Sequence, residues 1–288
     1  MQVVLITGCG SGLGKALARS FHKQAAFAGK PSGFRVFASD LNLDSIEDLR
    51  LEGIEVLALD VTVAESVQRG VNRVEQEAGR LDVLVCNAGI VTVAPLIEED
   101  LSEIQAVWNV NTLGALLCAR AVAPIMIRQR SGIMALTGSI FADYTAPFNG
   151  AYASSKAAVT SLFDALRLEL APYNISVCVM EPGFFTSKLR NSCFDPSRYL
   201  EGESLYSQAS MTMSDMVTYQ DNLRHVASAE DVAAIIVKQL CRKRGPPPRF
   251  SVGTLAWLFK LIGLLYKFVM PRVMHTVLLV YFGLNKKW

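Results

Sequence analysis

Apolar residues in this chain come in short unbroken runs, set between longer segments where they recur every three or four positions. The runs at 2–7, 34–39, 54–60, 81–86, 132–137, 175–181 and 249–253 predict buried strands. The spacing over 13–27, 43–52, 63–79, 99–129, 150–173 and 229–241 predicts helices between them. Strands this uniformly apolar have no wet face, so the alternation predicts an α/β domain: a doubly wound parallel sheet with helices on both sides. The rhythm breaks twice. Residues 187–226 are rich in Ser, Met, Tyr and Asp without periodicity and are expected to form a substrate loop or lid. Residues 254–288 are strongly apolar, which separates a catalytic unit over 1–253 from an apolar C-terminal helical extension.

Composition narrows the function classes. Lys and Arg number 28 against 26 Asp and Glu, and a net charge of +2 gives no electrostatic case for a nucleic-acid partner. A mean hydropathy of +0.30 is high for a soluble enzyme, and much of the excess lies beyond residue 250. The six cysteines lack a C-x-x-C pair and several fall inside apolar runs, which suits a reducing, intracellular compartment. Histidines at 22, 225 and 275 form no ligand pattern, so no metal site is expected. Met1 runs at once into a strand, an expectation against a cleavable signal. Asn174-Ile175-Ser176 has the form of a glycosylation acceptor, but it leads into a buried strand.

Candidate chemistry gathers at three places. Between the first strand and the first helix, Gly8, Gly12 and Gly14, with Ser11 and Leu13 among them, let the backbone turn tightly against a pyrophosphate at the helix N-terminus. Asp40 ends the second strand, where a carboxylate bonds ribose hydroxyls and repels a 2′-phosphate. With no cation at Ser11 or Leu41, this favours NAD over NADP, although Lys15 is a basic neighbour. The other reading of Asp40 is a cap for the helix near Leu43. Tyr152 and Lys156 are four apart and share a helix face, so the lysine would lower a phenol pKa that is ordinarily about 10 and let Tyr152 exchange a proton with a substrate oxygen. Ser139 can hydrogen-bond the same oxygen, with Thr137 and Ser154 as competitors.

Thr7-Gly8-x-x-x-Gly12-x-Gly14, Asp60-Val61, Asn87-Ala88-Gly89, Asn111, Ser139, Tyr152-x-x-x-Lys156 and Pro182-Gly183 together resemble, in order and spacing, the short-chain dehydrogenase/reductase family. The resemblance covers about residues 2–253 and implies a Rossmann domain. It implies that Asp60 holds the adenine amino group, with Val61 beside that ring, and that Asn87, Ala88 and Gly89 line the adenosine side. It makes Tyr152 the acid/base, Lys156 its partner and ribose ligand, and Ser139 the carbonyl holder. Asn111 would keep a water in a relay behind Lys156, and Pro182, Gly183 and Thr186 would close over the nicotinamide. Taken as plain residues, Asn111 could be an ordinary helix asparagine, Asp60 a strand-end cap and Thr186 a helix N-cap. Pro182-Gly183-Phe184-Phe185 and the apolar tail look similar to the hydroxysteroid and retinol dehydrogenase branch. Fungal acyl-dihydroxyacetone-phosphate reductases also look similar in the Tyr152 helix, though they favour NADPH. Members of the family often form homodimers through two long helices, here 99–129 and 150–173.

In the tail, Lys260, Lys267, Pro271, Arg272 and His275 interrupt the apolar run before about 20 clean residues accumulate, so a simple spanning helix is not expected. On a helix, Lys260 and Lys267 share a stripe with Ala256 and Gly263, opposite Leu258, Ile262, Leu265 and Val269. That arrangement suits a monotopic helix lying in a membrane interface over 254–284, as on endoplasmic reticulum or a lipid droplet. The alternatives are a lid over the cleft and a subunit interface. Each places apolar surface beside the open end of the site, so the expected substrate is a small lipophilic alcohol or ketone, steroid-, retinoid- or lipid-like. The expected function is hydride transfer between a nicotinamide cofactor and that substrate. The alternatives are NADPH-dependent reduction of an acyl-dihydroxyacetone-phosphate-like ketone and a non-catalytic nucleotide-binding protein at a membrane.

Overall fold

The computed structural model describes residues 1–27, 33–186, 204–207 and 226–265, with isolated positions at 213, 276, 277 and 280. Most of the lid expected over 187–226, and of the tail beyond 265, lies outside the described residues.

Seven strands form one sheet in the order β3-β2-β1-β4-β5-β6-β7, every neighbouring pair parallel. They are β1 Gln2–Thr7, β2 Phe34–Asp40, β3 Glu55–Ala58, β4 Val83–Cys86, β5 Gly132–Thr137, β6 Ile175–Pro182 and β7 Arg249–Val252. Side chains alternate across each strand, so β1 sends Val4 and Ile6 to one face and Val3 and Leu5 to the other. Helices α1 (Gly12–Phe27) and α7 (Ala229–Leu240) cover the first face with Leu17, Phe21, Val232 and Ile236. The second face is covered by α3 (Ala64–Ala78), α5 (Ala115–Gln129) and α6 (Gly150–Leu170), through Val71, Val122 and Phe163. Two separate apolar layers result, which is why the strands read as unbroken hydrophobic runs. Asp82 knits three strands at their lower ends. It bonds Val3 and Ile133 through its backbone, and its buried carboxylate accepts the Val3 N–H at 2.8 Å.

The doubly wound sheet expected from the sequence is therefore present, with local corrections. The third strand stops at Ala58, short of Asp60, because the Asp60 carboxylate turns to accept Thr62 N–H and Oγ–H. The helix expected over 43–52 is a 3₁₀ turn, Leu43–Ile46, followed by the short α2, Glu47–Leu51. Asn42, not Asp40, caps it. The helix expected over 99–129 is three pieces: α4 (Leu101–Trp108), a π turn (Asn109–Gly114) and α5. Gly114 explains part of this, since a Cβ there would stand 2.8 Å from Val61 Cγ2. Among the described residues, only this run is long and apolar enough to cross a membrane, and it is a core helix packed on the sheet.

The largest correction concerns α8 (Ala256–Leu264), the first helix of the tail. The stripe expected to be its wet face is packed in part: Ala256 and Gly263 are buried, while Lys260, its side chain 45% exposed, pairs from the surface with the buried Glu181. Small residues allow the close approach, because a Cβ on Gly263 would stand 3.1 Å from the Asp143 carbonyl. Ile262, expected to face away with the lipids, is partly buried against the cluster that contains Ile140, Phe141, Tyr144 and Ala256. The face left to solvent carries Trp257, Leu261 and Leu264, exposed by 69%, 45% and 53%.

Candidate active site

Strand order reverses between β1 and β4, and a crevice opens there above the carboxyl ends of the strands. The cleft measures about 970 Å³. It brings together Gly8, Ser11, Gly12, Leu13, Gly14, Asp40, Asp60, Val61, Asn87, Ala88, Gly89, Ser139, Tyr152, Lys156, Pro182 and Gly183, all expected from the sequence. Asn111 and Thr186 are not in its lining.

The nucleotide half is built by close backbone approach. Gly8 and Gly12 have φ of +70° and +51°, a conformation that favours glycine. A Cβ on Gly14 would meet the Gly8 carbonyl at 2.1 Å, so α1 starts as near the loop as glycine permits. The first turn of α1 carries no acidic residue, and its unpaired N–H groups suit an anion. Asp40 accepts the Gly10 N–H at 2.7 Å and the Asn42 N–H at 3.1 Å, so its carboxylate is aimed by two backbone donors. Asn42 and Ser45 stand beside it in the lining, and sequence reasoning passed over both. Lys15 lies elsewhere in function: its ammonium is bound by Asp48 at 2.8 Å. The close backbone approach and the aimed polar groups of this half fit a nicotinamide dinucleotide, for which the glycine loop, Asp40, Asp60 with Val61, and Asn87 to Gly89 are the lining residues.

The reacting half is assembled on α6 and the turn after β5. Tyr152 and Lys156 share a face of α6, with the ammonium 5.7 Å from the phenol ring centroid. Lys156 is 4% exposed and donates to the Thr137 carbonyl at 2.8 Å. That carbonyl had no signal in the sequence, where Thr137 drew attention only for its hydroxyl. Ser139 caps the 3₁₀ turn Ile140–Ala142, and its Oγ accepts the Phe141 N–H at 3.2 Å, which aims the hydroxyl while leaving its proton to donate. Asn111 sits in the π turn and holds Ile90 at both ends, accepting its N–H at 2.8 Å and donating to its carbonyl at 2.9 Å. It also donates to Ser155 Oγ at 3.0 Å. The carboxamide is thus engaged with Ile90 and Ser155. Thr186 bonds Ala227 through both its N–H and its hydroxyl, away from the cleft lining. Cys9, in the glycine loop, is buried, and burial pushes its thiol up, so it offers no nucleophile. Among the described residues no cluster could hold a metal ion.

Burial pushes the Lys156 ammonium down from 10.5 to about 8. An unfolded chain keeps that proton to its ordinary pKa. Between about pH 8 and 10.4 the unfolded state therefore binds more proton, so this group's penalty on stability is full below 8 and fades as pH rises through the window. Urea denaturation of the wild type and Lys156→Met, without nucleotide, should show the variant's advantage shrinking from pH 7 to pH 10. A difference that stays flat across those pH values would remove the claim.

Comparison with known proteins agrees with this arrangement. The sequence family described as short chain dehydrogenase matches residues 2–197. The chain is 33% identical over 268 residues to short-chain dehydrogenase cctT of Talaromyces islandicus, covering 90% of this chain and 89% of the relative. It is 31% identical over 272 residues to retinol dehydrogenase 8 of Bos taurus, covering 88% and 82%. A crystal structure of a short-chain dehydrogenase from Streptomyces avermitilis superposes with a TM-score of 0.77 at 25% identity, over 100% of this chain and 98% of that one. With the matched segment running from the glycine loop past Lys156 and Pro182, the chain belongs to the short-chain dehydrogenase family.

Proposed function

We propose that this oxidoreductase transfers hydride between NAD and a lipophilic alcohol or ketone, with Tyr152 as acid/base. The observation that carries the reading is the convergence of Ser139, Tyr152 and a buried, fastened Lys156 at one end of a dinucleotide-shaped cleft. A bound nicotinamide would supply the hydride acceptor in oxidation and the hydride donor in reduction. The chain's own groups do the rest. Ser139 donates its hydroxyl proton to the substrate oxygen and holds it. Lys156, in a site of low dielectric, favours the phenolate of Tyr152, which takes the alcohol proton in oxidation and returns it in reduction. Phe141, Phe184 and Phe185 line the same end of the cleft, supporting an apolar substrate. The similarity to retinol dehydrogenase 8 supports the same class.

Asp40 supports NAD over NADP. Its carboxylate is fixed by the Gly10 and Asn42 N–H groups, and the cations nearby are taken, Lys15 by Asp48 and Arg19 by Asp48 and Glu52. A 2′-phosphate there would face an unscreened like charge. The outward face of α8 supports a peripheral place on a membrane, with Trp257 as an interfacial anchor and Leu261 and Leu264 in the acyl region.

Tyr152→Phe should leave the NAD dissociation constant within about twofold and lower kcat by about a hundredfold or more; turnover at the wild-type rate on retinol, steroid or long-chain alcohols would exclude the assignment. Asp40→Ala should raise the NADP-to-NAD ratio of kcat/KM by about tenfold or more, and a wild type that already prefers NADP would refute the cofactor assignment. In flotation with phosphatidylcholine vesicles the wild type should rise with lipid and the Trp257→Ser, Leu261→Ser, Leu264→Ser triple variant should not. Equal flotation of the two would remove α8 as the membrane contact.

A further inference from the structure

Two contacts of α8 go beyond what the proposed reaction requires. Lys260, itself half-exposed, pairs with Glu181, which is 2% exposed and directly precedes Pro182. Ser251 Oγ donates to the same carboxylate at 3.2 Å, and Arg249 stands 3.7 Å from its other oxygen. Arg249 also pairs with Asp164, and Asp164 with Arg167, both on α6. A line of alternating charges therefore runs from the helix that carries Tyr152, through β7 and β6, to α8. A carboxylate this buried is costly unless it is paired, and Lys260 and Arg249 are its cationic partners.

The second contact is aromatic. The Phe259 ring lies 5.4 Å from Phe184 and 5.8 Å from Tyr144. Tyr144 stacks on Phe141 at 6.0 Å, and Phe141 meets the Tyr152 ring at 6.3 Å. Phe141 and Phe184 line the cleft, whereas Phe259 backs them from outside the lining. Gly183 allows the fit, since a Cβ there would stand 2.5 Å from the Thr254 carbonyl. The helix thus touches both segments that frame the reacting end, the turn after Ser139 and the exit of β6.

We propose that Lys260 is a positioning residue for substrate. By pairing with Glu181 it seats α8, and α8 holds Phe184 and Phe141, through Phe259 and Tyr144, where they form the apolar wall against the substrate's lipophilic part. This rests on the oxidoreductase reading of the cleft. It sets substrate fit from a helix whose aromatic contact with the Tyr152 ring runs through Tyr144 and Phe141.

The test compares the full chain with Lys260→Met, Lys260→Arg and the double variant Glu181→Gln/Lys260→Met, which stays folded if the single Met variant fails through a lone buried carboxylate. Amide hydrogen exchange should show lost protection in α8, in 139–144 and in 182–185 for Lys260→Met and the double variant, none in β1 or α1, and recovery in Lys260→Arg. In steady state the KM for 1-decanol or retinol should rise about tenfold with kcat and the NAD KM within about twofold, again restored by arginine. Unchanged exchange in α8, exchange raised equally through the whole chain, or a loss confined to kcat overturns the proposal. A wild type that turns over no alcohol counts against the oxidoreductase reading instead, and the exchange pattern then judges Lys260 by itself.

Discussion

The carboxamide of Asn87 donates to the Thr7 and Gly8 carbonyls at 3.1 and 3.0 Å and accepts the Thr137 hydroxyl at 3.2 Å. From its place just past β4, it ties the upper ends of β1 and β5 to its own strand. Thr7 answers from the other side, its Oγ accepting the N–H groups of Asn87 and Ala88 at 3.1 Å each. Three strands are thereby held to a common height, and both halves of the cleft hang from that line. The glycine loop leaves β1 at this level, and the Thr137 carbonyl that receives Lys156 leaves β5 at it. A shift of either strand by one residue would put the opposite face upward and separate the phosphate cradle from the ammonium.

Lys156 is the most expensive group in this arrangement, a cation in a site that burial makes hostile to charge. Its surroundings are shaped to admit it. Gly89 lies beside it, and a Cβ there would press on Asn111 Oδ1 at 3.2 Å. The π turn places Asn111 so that its amide grips Ile90, the residue after that glycine. Local backbone irregularity and a small residue thus sit together beside one buried charge, a pattern common where function overrides regular packing.

Much of this was readable from the residues. Strands buried on both faces announce themselves by unbroken apolar runs, and the glycine loop, Asp40, Ser139, Tyr152 and Lys156 carry chemistry in their spacing. What escaped reading lies in groups that have no sequence signature. The acceptor for Lys156 is a main-chain carbonyl, which any residue supplies. The π turn has ordinary helical neighbours on both sides, so periodicity passes through it as one helix. Asn42 and Ser45 act by standing beside Asp40 after the chain has turned. The α8 stripe misled for a physical reason: lysine on a helix implies a wet face only where no buried carboxylate awaits it, and Glu181 is 79 residues away in the chain. Lys260 with Ala256 and Gly263 is an inward pattern of small residues and one long arm.

The separation of α8 from the sheet has a bearing on how such a protein diversifies. The glycine loop, Ser139, Tyr152 and Lys156 are set by strand ends tied together in the first 183 residues. The wall behind Phe141 and Phe184 is instead backed by a nine-residue helix that follows β7 and is held by the Lys260–Glu181 pair, by Phe259 and by the buried Ala256 and Gly263. Mutations can accumulate on that helix, altering the volume and shape offered to a substrate, while the cofactor chemistry is inherited untouched. A lineage built this way can explore new substrates by drift in that helix while the cleft formed by the strand ends stays as it is.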